Sequence, residues 1–152
     1  MSSLYVRTEI KQFISDNLSV EEPNVVDLTA DFENINTLLE REGITGSTPW
    51  IGLQFVGNEE IPFALAASNN TGKYRETGAI FIHIVEKASL GIADKILQRA
   101  EVVRDAFRGR TINDMRIESI TPPNFSTGAT LNFEGGYTSA SIILGYERDL
   151  SL

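Results

Sequence analysis

The sequence predicts a single α+β domain over residues 1–152, in which a mainly antiparallel sheet packs against two or three helices. The first observation is the order of periodic segments, which runs helix, helix, strands, helix, strands without a repeat or linker. The second is a hydrophobic content of 41% with 9% aromatic residues, enough for a packed core. The third is the absence of Cys, which excludes disulfides and thiol catalysis.

Three segments have the apolar spacing of an amphipathic helix, three or four residues between buried positions. They are Leu4–Leu18, Asp31–Glu42 and Ile92–Phe107. Gly43 follows the second segment, where a helix often ends in the left-handed conformation. In the third, Glu101 precedes Arg104 and Asp105 precedes Arg108 by three residues, a supportive order for pairs on an exposed helical face.

Alternating or β-branched segments predict the strands. We expect strands over Trp50–Val56, Thr77–Glu86, Met115–Ile120 and Tyr137–Tyr146, with a further short one over Thr130–Phe133 before the turn Glu134-Gly135-Gly136. The type of the short apolar piece Val25–Leu28 stays open between strand and connector. Gly57, Asn58 and Pro62 predict a reversal of the chain into Phe63–Ala67, which gives a hairpin.

The polar stretch from Ser68 to Arg75 contains Gly72 and has no period, so it predicts an exposed, mobile loop. Lys73, Tyr74 and Arg75 at its end place an aromatic side chain between two charges, a composition favoured at protein interfaces. We therefore take these three residues as candidate interface residues.

Charge is distributed unevenly along the chain. The whole has 13 basic and 21 acidic residues, a net charge of −8, and residues 1–60 hold 11 of the acids but only three of the bases. Nine of the other ten bases lie between Lys73 and Arg116. An acidic protein does not supply the basic surface that nucleic-acid binding needs. The asymmetry is compatible with contact between copies through an acidic and a basic face, with Arg104 and Arg108 as further candidate interface residues, or with a merely solvated acidic face.

No segment carries a convincing catalytic pattern. Residues 43–48 have the wrong glycine spacing for a phosphate loop and lack its lysine. His83 is the single histidine, which makes a His-rich zinc site untenable, and its apolar strand favours a partly buried or sheet-face imidazole over a general base. We predict no catalytic, cofactor or metal site. The charged start of the chain has no apolar core of a signal peptide, and no apolar run is long enough to span a membrane.

Three segments together resemble the tail terminator, or tail completion, proteins of long-tailed bacteriophages. They are WIGLQFVG (50–57), ETGAIFIHIVEKASLGIADKILQRAEVVRDAF (76–107) and GGYTSASIILGYERD (135–149). The resemblance implies a non-enzymatic virion protein without a cofactor, made in the host cytoplasm. It also implies a hexameric ring at the head-proximal end of the tail, which stops polymerisation of the tail tube protein and docks onto the head–tail connector protein. DNA would pass through the ring without specific binding.

Two alternatives remain open from the sequence. One is another phage neck or tail subunit, such as a tube or head completion protein. The other, from a different class, is a small-ligand-binding domain or an enzyme whose site is assembled only by the fold.

Overall fold

A computed structural model describes residues 4–29, 35–44, 48–64, 73–87, 89–125 and 137–151. The helices are α1 (Leu4–Leu18), α2 (Ile35–Arg41) and α3 (Ile92–Phe107). The strands are β1 (Val25–Asp27), β2 (Trp50–Ala64), β3 (Lys73–Lys87), β4 (Thr111–Ile112), β5 (Met115–Ile120) and β6 (Tyr137–Ser151). The predicted α+β class is therefore confirmed, as are the bounds of α1 and α3.

The six strands form one sheet in the order β1-β2-β3-β6-β5-β4. Only β1 pairs in parallel, opposite residues 51–53 of β2, and the other neighbours are antiparallel. The centre is a ribbon of three 15-residue strands, β2, β3 and β6. Strands β1 and β4 consequently lie at opposite edges of the sheet.

The two faces of the sheet are covered by different helices. Ile80, Ile82 and Ile84 of β3 face α1 and α3 in the larger apolar cluster. On the other face, Trp50 and Val85 pack with Leu38 and Leu39 around α2. Because each face of β3 is buried against helices, apolar residues mostly follow one another along the strand and do not alternate regularly with polar ones.

The helices α1 and α3 pack side by side and run in opposite directions. The rings of Phe13 and Phe107 are 4.7 Å apart. Glu22, nine residues after Phe13, contacts Arg99, eight residues before Phe107. The chain therefore runs in opposite directions along the two helices. In this arrangement the C-terminus of α3 lies near β4, an edge strand of the sheet.

The predicted reversal at Gly57–Pro62 is wrong. Strand β2 continues through these residues to Ala64 and absorbs them as irregularities in its pairing with β3, between Gly57 and Glu59 and between Pro62 and Ala64. Glycine and proline are turn residues in isolation, but both also occur at bulges and edges of sheets. The hairpin partner of β2 is β3, and residues 65–67 lie outside the described residues.

The predicted loop from Ser68 to Arg75 is also wrong at its end, because Lys73, Tyr74 and Arg75 belong to β3. They pair with Ala64, Pro62 and Ile61 on one side and with residues 149–151 on the other. Cross-strand pairing on both sides outweighs their polar character. Residues 68–72, the predicted short strand at 130–133 and the turn at 134–136 lie outside the described residues, as do residues 31–34 at the start of the second predicted helix.

Two smaller predictions are confirmed: Met115–Ile120 is a strand that ends before the two prolines, and Gly43 has a left-handed φ of 74°. The open alternative at Val25–Leu28 is resolved as a strand over Val25–Asp27. The final strand reaches Ser151, five residues beyond the predicted end at Tyr146. The sequence does not predict strand β4, because two residues are too few to show the alternation of apolar and polar residues that marks a strand.

Candidate assembly interface

The candidate residues Tyr74 and Arg75 are held within the sheet. The Nε atom of Arg75 lies 2.9 Å from Oδ1 of Asp149 and 3.3 Å from a carboxylate oxygen of Glu147. The hydrogen bond from Arg75 lowers the pKa of the Asp149 carboxyl below its usual range. Arg75 therefore belongs to a cross-strand ion-pair network, and it lies on the face of β3 turned away from α3.

The same network includes β5. Arg116 contacts Glu147 at 2.5 Å, and it also reaches Glu118 and Asp149 at 3.3 Å. The two guanidinium groups thus share Glu147 and Asp149, and Arg116 also contacts Glu118. Both arginine charges at this end of the sheet are therefore paired within the chain.

The candidate residues Arg104, on α3, and Arg108, directly after α3, make the predicted pairs. Arg104 is 3.8 Å from Glu101, and Arg108 is 3.1 Å from Asp105. The Arg108 side chain is 54% exposed, whereas that of Arg104 is 23% exposed. Because Arg75 is on the opposite face of the sheet from α3, the two halves of the predicted interface do not form one patch.

The basic segment as a whole is not a basic face. Of the nine bases between Lys73 and Arg116, six form ion pairs with carboxylates of the same chain: Arg75, Lys95, Arg99, Arg104, Arg108 and Arg116. The linear charge count therefore overstates the charge that this segment offers to a partner.

A buried ion cluster that sequence reasoning missed centres on Arg99 of α3. Its guanidinium binds Glu22 at 2.5 Å and Glu86 at 3.3 Å, and donates to the backbone oxygen of Val85 at 3.1 Å. Glu22 and Glu86 are only 3% and 4% exposed. Burial opposes the charge of the guanidinium, but the two carboxylates outweigh it and raise the pKa of Arg99. The cluster joins the middle of α3 to the segment after α1 and to the end of β3.

His83 lies on the face of the sheet away from α1 and α3. Its Nδ1 is 2.5 Å from Oγ of Ser141 and its Nε2 is 3.3 Å from Oε1 of Gln54. The histidine is 1% exposed and Ser141 is 2% exposed. Burial lowers the pKa of His83 to about 4, so the imidazole is neutral at pH 7. Of the two predicted alternatives, the imidazole is on a face of the sheet, where it is fully buried and not partly buried.

A groove of about 440 Å³ lies at the β1 edge, between α1 and the segment after α2. Lys11 and Ser15 line it from α1, Ser19 from just beyond α1, Val25 and Asp27 from β1, and Glu42 from just beyond α2. Asp27 is held by Arg7 at 2.6 Å and by Lys11 at 2.7 Å. Although burial acts to raise the pKa of Asp27, these hydrogen bonds lower it overall. No sequence pattern predicted this groove, because its walls are far apart along the chain.

The opposite edge carries a short basic turn, Arg108–Gly109–Arg110, between α3 and β4. Gly109 has a left-handed φ of 66°. The backbone N–H of Arg110 donates to the Phe107 oxygen at 3.2 Å, and the Arg110 oxygen accepts from the N–H of Ile117 at 3.0 Å. Both arginines are exposed, so a fixed backbone presents two guanidinium groups to solvent.

Within the described ranges, no three His, Asp or Glu side chains are grouped as a metal ion would require. No helix in the part of the chain that the structure describes is both long and apolar enough to cross a membrane.

Comparison with known proteins adds little about function. No family model matches the chain, and no curated protein matches it. One solved structure, whose name describes no activity, aligns with 93% of this chain and 94% of its own at 13% sequence identity, with a TM-score of 0.48. A likeness this low carries no argument about what the chain does.

Proposed function

We propose that this chain is a non-enzymatic structural subunit of a long-tailed bacteriophage, a tail terminator that forms a ring, caps the tail tube and offers the docking surface for the head connector. The proposal starts from the resemblance of residues 50–57, 76–107 and 135–149 to that family. The ring of six copies comes from the same resemblance.

The observation that carries the proposal is that these segments are neighbours in the fold. Strands β2, β3 and β6 pair side by side, and α3 packs onto β3 and β6 through the larger apolar cluster. A resemblance spread over unrelated surface segments would have little weight. Here the segments make up the centre of the sheet and its covering helix, so the likeness concerns one structural unit.

The buried state of the Ser141–His83 pair supports a role without catalysis. A nucleophile and its base need access to a substrate carbonyl, and both residues are at most 2% exposed. The neutral His83 also lacks the pKa near 7 that favours a general base. This pair is the described arrangement that most resembles catalytic machinery, and its burial favours a structural role.

The test is to mix the purified protein with growing and with finished tail tubes. We expect a closed oligomer of about six copies by native mass spectrometry and a cap at one end of each tube by electron microscopy, with tube growth halted. An acidic protein of similar mass is the control. A monomer at every concentration, with or without tubes, or incorporation along the tube wall, would contradict the proposal.

A further inference from the structure

We propose that the groove at the β1 edge of one subunit receives the Arg108–Gly109–Arg110 turn at the β4 edge of the next copy. This inference rests on the ring proposed above and names the contact that would build it. The occupant is a second copy of this chain.

The groove has the chemistry of a guanidinium receptor. Glu42 is exposed at its wall, and within the described residues it forms no ion pair, whereas Glu22 and Asp27 are already held by arginine side chains of the same chain. The hydroxyl groups of Ser15 and Ser19 are further acceptors on the α1 side. An arriving guanidinium would therefore meet the Glu42 carboxylate and two hydroxyls, beside the Lys11 ammonium, which Asp27 pairs with at 2.7 Å.

The C-terminal end of α1 also favours the binding of a cation in the groove. The last turn of α1 contains no basic residue. Helix C-termini carry a partial negative charge that cations stabilise. Val20, just beyond α1, is 87% exposed and offers apolar surface next to Ser19 for the stem of an arginine to cover.

The turn has the complementary chemistry. The Arg110 Nε donates to the Ala106 oxygen at 3.2 Å, and none of the described carboxylates forms a salt bridge with Arg110. Among the residues that the structure describes, Arg108 forms an ion pair with Asp105, and because both side chains are exposed this pair is weak and easily exchanged. Because the turn's backbone is already hydrogen-bonded on both sides, docking would cost little ordering entropy.

The positions of the two surfaces fit a head-to-tail contact. The groove lies beside β1 and the C-terminal half of α1, whereas the turn follows α3 and leads into β4, the other edge strand of the sheet. Contact between two different surfaces of the same chain is heterologous, and it closes into a ring when the rotation allows. The same pair of surfaces would recur at every subunit boundary.

Charge reversal tests the contact. Glu42→Arg and Arg110→Glu should each raise the protein concentration needed for half-assembly roughly tenfold, because an attractive pair becomes a repulsive one at each boundary. An equimolar mixture of the two variants should assemble nearly as well as wild type. In a ring in which the two variants alternate, each groove with Glu42→Arg receives a turn with Arg110→Glu. Each unchanged groove receives an unchanged turn. Sedimentation velocity measures all three samples.

Matched controls are available on the same elements. Glu40→Arg changes the same charge on α2 outside the groove, and Lys87→Glu reverses an exposed base at the end of β3. Both should assemble like wild type. Circular dichroism should show the native fold in all four variants, because the changed positions are exposed.

The outcomes separate the two proposals. Rings that form equally well in Glu42→Arg and Arg110→Glu would overturn this contact and leave the groove to another occupant, while the ring and its capping role would stand. Impaired single variants that the mixture does not restore would also overturn it. A wild-type protein that never forms rings would overturn both proposals together.

Discussion

At the scale of single residues, His83 shows how one buried side chain couples the fold to pH. Its pKa of about 4 in the folded protein lies below the ordinary value of 6.5, because burial disfavours the charged imidazolium. As pH falls from 6.5 toward 4, the unfolded chain takes up a proton that the folded chain does not. The stabilisation that neutral His83 contributes is therefore complete above pH 6.5. About 3 kcal/mol of the free energy of unfolding is lost as the pH falls from 6.5 to 4.

The variant His83→Gln removes this titration. We expect its free energy of unfolding to fall less between pH 7 and pH 4 than that of wild type, as measured by urea denaturation at several pH values. At pH 7, tube capping by the folded variant should be unchanged. Loss of capping in a normally folded His83→Gln protein would contradict the structural role of this residue.

At the scale of elements, Arg99 is the residue that ties α3 to the ends of α1 and β3. Replacing it in Arg99→Met leaves Glu22, which is 3% exposed, without its guanidinium partner. Removing one partner of a buried ion pair costs about 3–5 kcal/mol. We expect a loss of this size in urea unfolding at pH 7.

The matched control is Arg108→Met, at the residue that directly follows α3. Its ion pair with Asp105 is exposed on both sides, so the change should stay within about 0.5 kcal/mol. Similar losses in Arg99→Met and Arg108→Met would show that the buried cluster does not hold these elements together.

The elements also show which parts of the fold the sequence could predict. Helices α1 and α3 were predicted with correct bounds because each has a complete apolar stripe, such as Ile96, Ala100, Val103 and Phe107. The extension of β2 through Gly57 to Ala64 was not predictable from local pattern, because those residues are stabilised by pairing with residues 73–78. Likewise, Arg75 was assigned to a loop because its partner Asp149 lies 74 residues away.

The interface could be predicted only in part. The pairs Glu101–Arg104 and Asp105–Arg108 follow from a helical spacing of three, and Arg108 also belongs to the turn that we propose as a docking element. The groove could not be predicted, since Ser15, Asp27 and Glu42 come together only when α1, β1 and α2 pack. A count of charges along the chain also cannot reveal that most of the bases are already paired.

At the scale of the whole molecule, two kinds of electrostatic interaction should respond differently to salt. The cluster of Arg99, Glu22 and Glu86 is buried, and buried pairs are screened little. The exposed charges at the groove and at the Arg108–Gly109–Arg110 turn would be screened strongly once ionic strength exceeds ~0.15 M, where the screening length is about 8 Å. In a salt titration, the proposed ring should therefore weaken at salt concentrations at which the fold of the subunit stays stable.

We expect light scattering to show weaker assembly as NaCl rises from ~0.05 to ~0.5 M, while the unfolding transition of the subunit changes little. Hydrophobic contacts do not weaken in this way with added salt, so the direction of the change distinguishes the two driving forces. The Lys87→Glu protein should follow the wild-type titration, whereas Glu42→Arg should start from weaker assembly and depend less steeply on salt. A ring that is insensitive to salt would keep the proposed capping role but remove the charged groove and turn as the source of its stability.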